Sequence, residues 1–312
     1  MTARPSVEPE PSDAGAGTAE STGAGTAVDP PLLAAREAVA RALAEDCLPL
    51  GDLTASLVDA SRTARMVVAA RDEGVVAGRL CAVETFRQVD PAIDVAWRVP
   101  DGRAVRAGTV VAEVSGPMRP ILTAERTALN FLCHLSGVAT ATRRLVDVVA
   151  AANPSTRVLD TRKTLPGMRA LQKAAVRAGG GTNHRGSLSE GVLVKDNHLG
   201  GISIADAVAL ARHRWPGRMV EVECDHPAQA TAAAAAGASI VMLDNMTPEA
   251  VAATVTALRA GGADVLVEVS GGVDERTAPA YAAAGADLLS VGALTHSARA
   301  LDLGLDLLGP GR

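Results

Sequence analysis

The chain has 312 residues, of which 48% are apolar, 21% charged and 2% aromatic, with a formal net charge of −5 and a pI near 5.7. That length suits two domains, with cores built from Ala, Val and Leu instead of rings. The acidic balance and the scarcity of aromatics exclude a general nucleic-acid binder or a base-stacking platform.

No apolar run reaches the ~18–20 residues of a membrane span, and the N-terminus lacks the apolar region of a secretory signal. Cys47, Cys81, Cys133 and Cys224 form no CxxC pair, which favours free thiols in a reducing cytoplasm. Of 30 basic residues 27 are Arg; Lys163, Lys173 and Lys195 all fall within one 33-residue stretch.

In chain order, residues 1–30 have no apolar period and are expected to be a disordered tail. A helix is expected from Pro31 through Leu32, Leu33, Val39 and Leu43. The stretch 64–116 reads as short strands, Met66–Ala70, Gly74–Gly78, Ile93–Val99 and Thr109–Val114, around a helix at Arg79–Val89. This predicts an N-terminal α/β sandwich domain over 31–137 with an antiparallel sheet. A helix over Thr123–Ser136 is expected to start on Thr123 as N-cap and to break at Gly137 before Val138–Ala151.

From 155 onward the expected strands are Arg157–Leu159, Gly191–Val194, Met219–Cys224, Ser239–Leu243, Val265–Val269 and Asp287–Val291. Ala-rich helices such as Pro227–Ala236 and Pro248–Ala260 separate most of them. This alternation predicts parallel β/α units over 138–298, as an incomplete β/α barrel or, second, a doubly wound sheet. The segment 299–312 is expected to pack back on the N-terminal domain.

Nearly every one of these strands stops at polar residues, where sites assemble in parallel α/β folds. The strand ends give Asp160-Thr161-Arg162-Lys163, Lys195-Asp196-Asn197-His198, Glu221 and Glu223, Asp244-Asn245, Glu268 with Val269-Ser270-Gly271-Gly272, and Ser290-Val291-Gly292. Glu221 and Glu223 are two apart and share one face of their strand. They fit either an ion-pair layer inside the barrel or, for Glu223 with Asp244, ligand hydroxyls and a metal-bound anion.

The two glycine-containing exits fit either ordinary strand ends or phosphate cradles. His296 follows the second, as a phosphate contact or a surface residue. Arg162, Lys163, His184, Arg185 and Lys195 surround a Gly179-Gly180-Gly181 loop read as flexible, and so much positive charge calls for a small polyanion. Arg169, Lys173 and Arg177, at helical spacing, read as a solvated stripe. His134, His198, His213 and His226 have no ligand-like spacing. No P-loop, dinucleotide fingerprint, HExxH or GxSxG elbow occurs.

The segments DTRKTLPGMRALQKAAVRAGGGTNHR (160–185), VKDNH (194–198), EVECD (221–225), LDN (243–245), EVSGG (268–272) and VGALTHS (291–297) closely resemble the quinolinate phosphoribosyltransferase family. GDLT (51–54) and TAERTALNFLCHLSG (123–137) extend the resemblance to roughly residues 32–308. It implies an N-terminal sandwich with an incomplete barrel, and decarboxylating transfer of phosphoribose from phosphoribosyl pyrophosphate to quinolinate in NAD biosynthesis.

By resemblance Arg162, His184, Arg185 and Lys195 receive the dicarboxylate, and Thr161 and Lys163 lie near the phosphoribosyl donor. Arg126 enters from the adjacent subunit of a homodimer or higher homo-oligomer. Glu223 and Asp244 hold ribose hydroxyls beside a Mg²⁺ bound mainly through pyrophosphate. Val269, Ser270, Gly271, Ser290, Val291, Gly292 and His296 border the 5′-phosphate. Lys163, Lys195, Glu223 and Asp244 are the implied catalytic set. The run Gly186-Ser187-Leu188-Ser189-Glu190 departs from the family pattern.

Three rival readings stand beside this one. They are a phosphoribosyltransferase-like protein associated with molybdenum transport, a Schiff-base barrel aldolase using Lys195, and a non-catalytic anion-binding protein. The intact dicarboxylate set argues against the first.

Overall fold

A computed structural model describes residues 28–308, so nearly all of the tail expected at 1–30 lies outside the described residues. The first half runs α1 (Leu32–Cys47), β1 (Thr63–Ala70), β2 (Gly74–Val75), α2 (Arg79–Val89), β3 (Asp94–Trp97), β4 (Ala104–Val105), β5 (Val110–Pro117) and α3 (Met118–Ala152). The second half runs β6 (Arg157–Leu159), α4 (Arg169–Ala178), β7 (Val192–Val194), α5 (Asp196–Leu199), α6 (Ile204–Arg214), β8 (Val220–Cys224) and α7 (Pro227–Ala235). It continues through β9 (Ile240–Asp244), α8 (Pro248–Ala260), β10 (Leu266–Ser270), α9 (Ala278–Ala283), β11 (Leu288–Ser290), α10 (Ala293–His296) and β12 (Leu303–Leu307).

Along β1, Ala64, Met66 and Val68 are buried while Thr63 and Arg65 are exposed, the period of a strand with one covered face. β1 is central in an antiparallel sheet of order β12-β1-β5-β3. The last strand pairs from Met66↔Leu307 to Ala70↔Leu303, which ties the C-terminal segment to the first half. Helices α2 and α3 supply Phe86, Ile121, Leu129 and Leu132 to the core beneath it.

The expected break at Gly137 is absent: α3 is one helix of 35 residues that serves both halves. A Cβ at Gly137 would lie 2.2 Å from the Arg299 carbonyl oxygen and 2.9 Å from Ala300 Cα. The glycine lets the returning segment cross the helix, at a propensity cost of about 1 kcal/mol. The helix also starts five residues before Thr123, whose hydroxyl bonds Arg119 O (3.1 Å) and Asp52 Oδ2 (3.0 Å) instead of capping.

The second sheet has order β6-β11-β10-β9-β8-β7 with every pair parallel. Its first strand lies beside its last and the others follow in sequence, which is a sheet wrapping round on itself. A doubly wound sheet would instead reverse at a switch point. Among the described residues β6 and β7 do not pair; in the gap Leu159 of β6 bridges to Thr182 of the loop after α4, so the barrel is incomplete.

Val220, Val222, Cys224, Val241, Leu243, Val267, Val269, Leu289 and Val291 share a core cluster with Val208, Ala230, Val251, Leu258 and Tyr281 of the helices. Alternation then turns Glu221, Glu223, Asp244, Glu268, Ser270 and Ser290 to the barrel interior. Register sets Glu223 opposite Met242, Met242 opposite Glu268, and Asp244 opposite Ser270.

Candidate active site

The residue after β6 is Asp160, fully buried, and the rest of the cationic segment is organised on that carboxylate. Its Oδ1 accepts the His184 backbone N–H (2.9 Å) and is bonded by Lys173 Nζ; its Oδ2 accepts Asn183 Nδ2 (2.6 Å). Lys173 Nζ also donates to His184 O (2.7 Å). Burial pushes the Asp160 carboxyl up and the Lys173 ammonium down, each countered by the other's charge. The network locks β6 and α4 to the chain at 183–185.

The stripe Arg169, Lys173 and Arg177 is therefore not solvated. Lys173 is 6% exposed. Arg169 donates to Gly186 O (3.0 Å) and Arg162 O (3.3 Å), and Arg177 to Asp29 O (3.0 Å). The covered face of α4 is set by what packs on it, which helical spacing alone does not reveal. Nor is the glycine loop open: a Cβ at Gly179 would lie 2.5 Å from Ala139 O, so α3 holds it.

Beneath the mouth, His184 Nε2 lies 3.0 Å from Glu221 Oε2 and 3.5 Å from Glu268 Oε2. Both carboxylates are buried, and one N–H between two acceptors aligns fully with neither, which leaves these atoms outside hydrogen-bond angles. Burial, then the neighbouring Glu221 charge, push Glu268 up to about 7. Burial opposes charge on His184, but the two carboxylates outweigh it and hold its pKa above the ordinary value. His184 Nδ1 accepts the Arg185 N–H (2.8 Å), and Arg185 Nη1 donates to Gly191 O (3.1 Å). Burial, then the Arg162 guanidinium, hold Arg185 below its usual value. Arg162 Nε is buried without a partner.

Higher in the mouth, Lys195 at the end of β7 bridges to Glu223. Asp244 ends β9 half-buried and accepts Asn245 Nδ2 (2.6 Å). Asn245 is left-handed (φ 55°) and donates its N–H to Ser270 O (2.9 Å). Gly271 (φ +88°) and Gly272 (φ +64°) form a turn after β10, and a Cβ at Gly271 would meet Asn245 Oδ1 at 2.2 Å. At the end of β11, Lys163 Cδ, His296 Nε2 and Thr161 Oγ1 converge within 3.1–3.4 Å of where a Cβ on Gly292 would stand. Thr161 Oγ1 accepts the Lys163 N–H (2.9 Å).

The barrel mouth thus gathers Thr161, Arg162, Lys163, His184, Arg185, Lys195, Glu223, Asp244, Gly271, Gly292 and His296. Val269 and Val291 turn their side chains into the outer core, leaving backbone to the site. Ser290 is buried, its hydroxyl beside the Glu268 carboxyl. Arg126 is exposed on α3, where its charge acts on Glu125 and Cys133 of the first half.

Lys173 and Asn183 are not among the site residues read from the sequence, and Asp160 and Asn245 enter there only as strand-end residues with no role of their own. The signal for Lys173 was in the composition: a lysine kept where 27 of 30 cations are Arg. His134, one of the histidines without ligand spacing, lies 2.8 Å from the buried Gln172 amide. Among the described residues, His184, Glu221 and Glu268 form the cluster whose ligand-type atoms lie within 4.8 Å of one another.

The family models for the quinolinate phosphoribosyl transferase N-terminal and C-terminal domains match residues 52–136 and 138–306. A carboxylating nicotinate-nucleotide pyrophosphorylase of Mycobacterium leprae is 42% identical over 279 residues, covering 88% of this chain and 97% of its own. The protein of that name from Rattus norvegicus is 39% identical, covering 86% and 89%. The structure of the nicotinate-nucleotide pyrophosphorylase from Francisella tularensis superposes with a TM-score of 0.85 at 40% identity, covering 90% of this chain and 99% of that one.

Proposed function

The chain belongs to the quinolinate phosphoribosyltransferase family, and we infer from that membership and from its barrel mouth that it carries out decarboxylating phosphoribosyl transfer. The pyridine nitrogen of quinolinate displaces pyrophosphate from C1 of phosphoribosyl pyrophosphate. The C2–carboxylate bond then breaks: CO₂ leaves, the pyridinium stabilises the electron pair at C2, and a proton takes its place. The product is nicotinate mononucleotide, for NAD biosynthesis.

One observation carries this reading: the Arg162 guanidinium stands next to that of Arg185, with its Nε buried and unpartnered. Two adjacent half-buried cations with a spare donor suit a planar dicarboxylate, which guanidinium forks bind bidentately. In the division of roles we propose, Arg162, Arg185 and Lys195 receive quinolinate. Thr161, Lys163, Gly271, Gly292 and His296, with backbone of Val269 to Ser270 and Ser290 to Val291, receive the phosphoribosyl phosphate. Glu223 and Asp244 face the ribose hydroxyls. Protein catalysis here is orientation and electrostatics.

The oxygen donors of Glu223 and Asp244 at adjoining strand ends fit Mg²⁺. We place the ion mainly on the pyrophosphate, bordered by these two carboxylates. When bound it neutralises charge on the departing group.

The reading includes a site shared between subunits. Arg126 is exposed, and Asp52, bonded to Thr123 one turn before it, belongs to a segment where Leu48, Leu50, Leu53 and Leu57 are 65–84% exposed. An apolar run of that kind beside the arginine supports a homodimer contact. Residues 31–137 and 299–308 then form the sandwich half and 138–298 the barrel; positions 309–312 of the expected C-terminal segment lie outside the described residues. No helix among the described residues is long and apolar enough to cross a membrane. A cytoplasmic setting belongs to the same reading, supported by the four unpaired cysteines.

Incubating the protein with quinolinate and phosphoribosyl pyrophosphate, with and without Mg²⁺, tests the whole. Nicotinate mononucleotide and CO₂ are expected in equal amounts. Equal use of nicotinate would move the function to a non-decarboxylating reaction. Arg162→Ala is expected to abolish measurable quinolinate binding with the fold kept, and unchanged affinity would remove the role of Arg162. Mixing Arg126→Ala with Lys195→Ala protein is expected to restore part of the activity lost in each. Absence of recovery in confirmed mixed oligomers counts against the shared site.

A further inference from the structure

Resemblance alone makes His184 one of the cations that touch quinolinate, but the ring is committed elsewhere. Its side chain is 8% exposed, Nε2 lies between Glu221 and Glu268, and Nδ1 accepts the Arg185 backbone N–H at 2.8 Å. An acceptor at Nδ1 places the ring proton on Nε2. The same bond counts against a metal ion in this cluster, because an ion on Nε2 needs the lone pair that the ring holds at Nδ1. The bond belongs to the singly protonated ring, since an Nδ1–H would face the Arg185 N–H.

We propose that Glu221 and Glu268 are positioning residues for quinolinate: by holding the proton of His184 on Nε2, they keep Nδ1 free to anchor the Arg185 backbone, and so fix the guanidinium that receives a substrate carboxylate. The inference rests on the functional reading above and deepens it. Three elements meet at this strut. β8 and β10 supply the two carboxylates, and the segment after α4 supplies His184 and Arg185. Lys173 of α4 and Asp160, just after β6, grip the His184 backbone from the other side. The loop at 184–185 is thus held at both its backbone and its ring. That accounts for two costly buried carboxylates low in the barrel, which ligand contact leaves unexplained.

Two measurements on the full chain test it. In ¹⁵N-histidine NMR of the wild-type protein at pH 8, the His184 ring, identified by its absence from His184→Asn, is expected to carry its proton on Nε2 with Nδ1 bare. A proton on Nδ1 overturns the proposal. This experiment needs no turnover, so it separates failure of the inference from failure of the functional reading, which wild-type product formation checks.

In steady-state kinetics, Glu221→Ala is expected to raise the KM for quinolinate about tenfold, through loss of the charged contact at 3.0 Å that orients the ring. The KM for phosphoribosyl pyrophosphate should stay at its wild-type value. Glu221→Gln, whose amide oxygen can still face Nε2, is expected to recover most of the loss. A wild-type quinolinate KM in the alanine variant, no recovery in the glutamine variant, or an equal rise in both KM values overturns it.

Discussion

Replacing Lys173 by Met keeps the length of the side chain and removes its charge at a site where the Lys173 and Asp160 side chains are 8% and 0% exposed. The Asp160 carboxylate would keep the His184 N–H and the Asn183 amide but lose its counter-charge, and His184 O would lose its donor. Removing one partner of a buried pair costs about 3–5 kcal/mol, a large part of the ~5–15 kcal/mol that holds a typical domain. The expected outcome is a lower urea midpoint by an amount in that range, read by linear extrapolation. Because Asp160 also carries the turn into Arg162 and Lys163, quinolinate affinity should fall with it.

The paired variant Asp160→Asn with Lys173→Met removes both charges. It is expected to lose about 2–3 kcal/mol less than the two single losses added together, the signature of direct coupling. The double variant also serves if Lys173→Met alone does not fold. Stability of Lys173→Met within ~0.5 kcal/mol of wild type, as for a solvated surface lysine, would refute the reasoning.

Lys195→Arg preserves charge but replaces a compact ammonium by a planar fork in the bridge to Glu223, and turnover should fall about tenfold or more; near-normal turnover would remove a specific role for the ammonium. Gly271→Ala forces a side chain into φ +88° and to 2.2 Å from Asn245 Oδ1. Its left-handed backbone alone costs about 1–2 kcal/mol, and the KM for phosphoribosyl pyrophosphate is expected to rise while that for quinolinate holds. An unchanged donor KM would detach this turn from the phosphate.

Asp101 accepts the Gly78 N–H (2.9 Å) at the start of α2, and burial pushes its carboxyl up to about 6. Its folded pKa lies above the unfolded value of about 3.9, so the penalty of a buried charge is present above pH ~6 and relieved as pH falls towards ~4. Wild type should therefore gain stability relative to Asp101→Asn between pH 7 and pH 5. Parallel pH–stability curves for the two would contradict this.

The alternation of Val with Glu in Val220–Cys224 and Leu266–Ser270 was enough to set which side chains line the barrel. A strand offers only two faces, and the apolar one must meet the helices. The βα rhythm after residue 155 gave the barrel for the same reason, and the run of residues from Asp160 to Arg185 carried the family. Helix α8 fell on Pro248–Ala260, the span its proline and glycine mark.

What the sequence could not decide depended on contacts far along the chain. Gly137 reads as a break in any isolated helix, and only the crossing of Arg299 and Ala300 makes it a contact point inside α3. Spacing on α4 was the same whether its cationic face met water or Asp160. The closure that sets β6 beside β11 made it a buried network. The direction of the His184 ring was likewise set by two strands, β8 and β10, that lie far from it in sequence. Local patterns fix which way a side chain points from its own element. Where a charge finds its partner is fixed by the packing of elements, and in this protein that packing turned one of three scarce lysines from a surface residue into the support of the site.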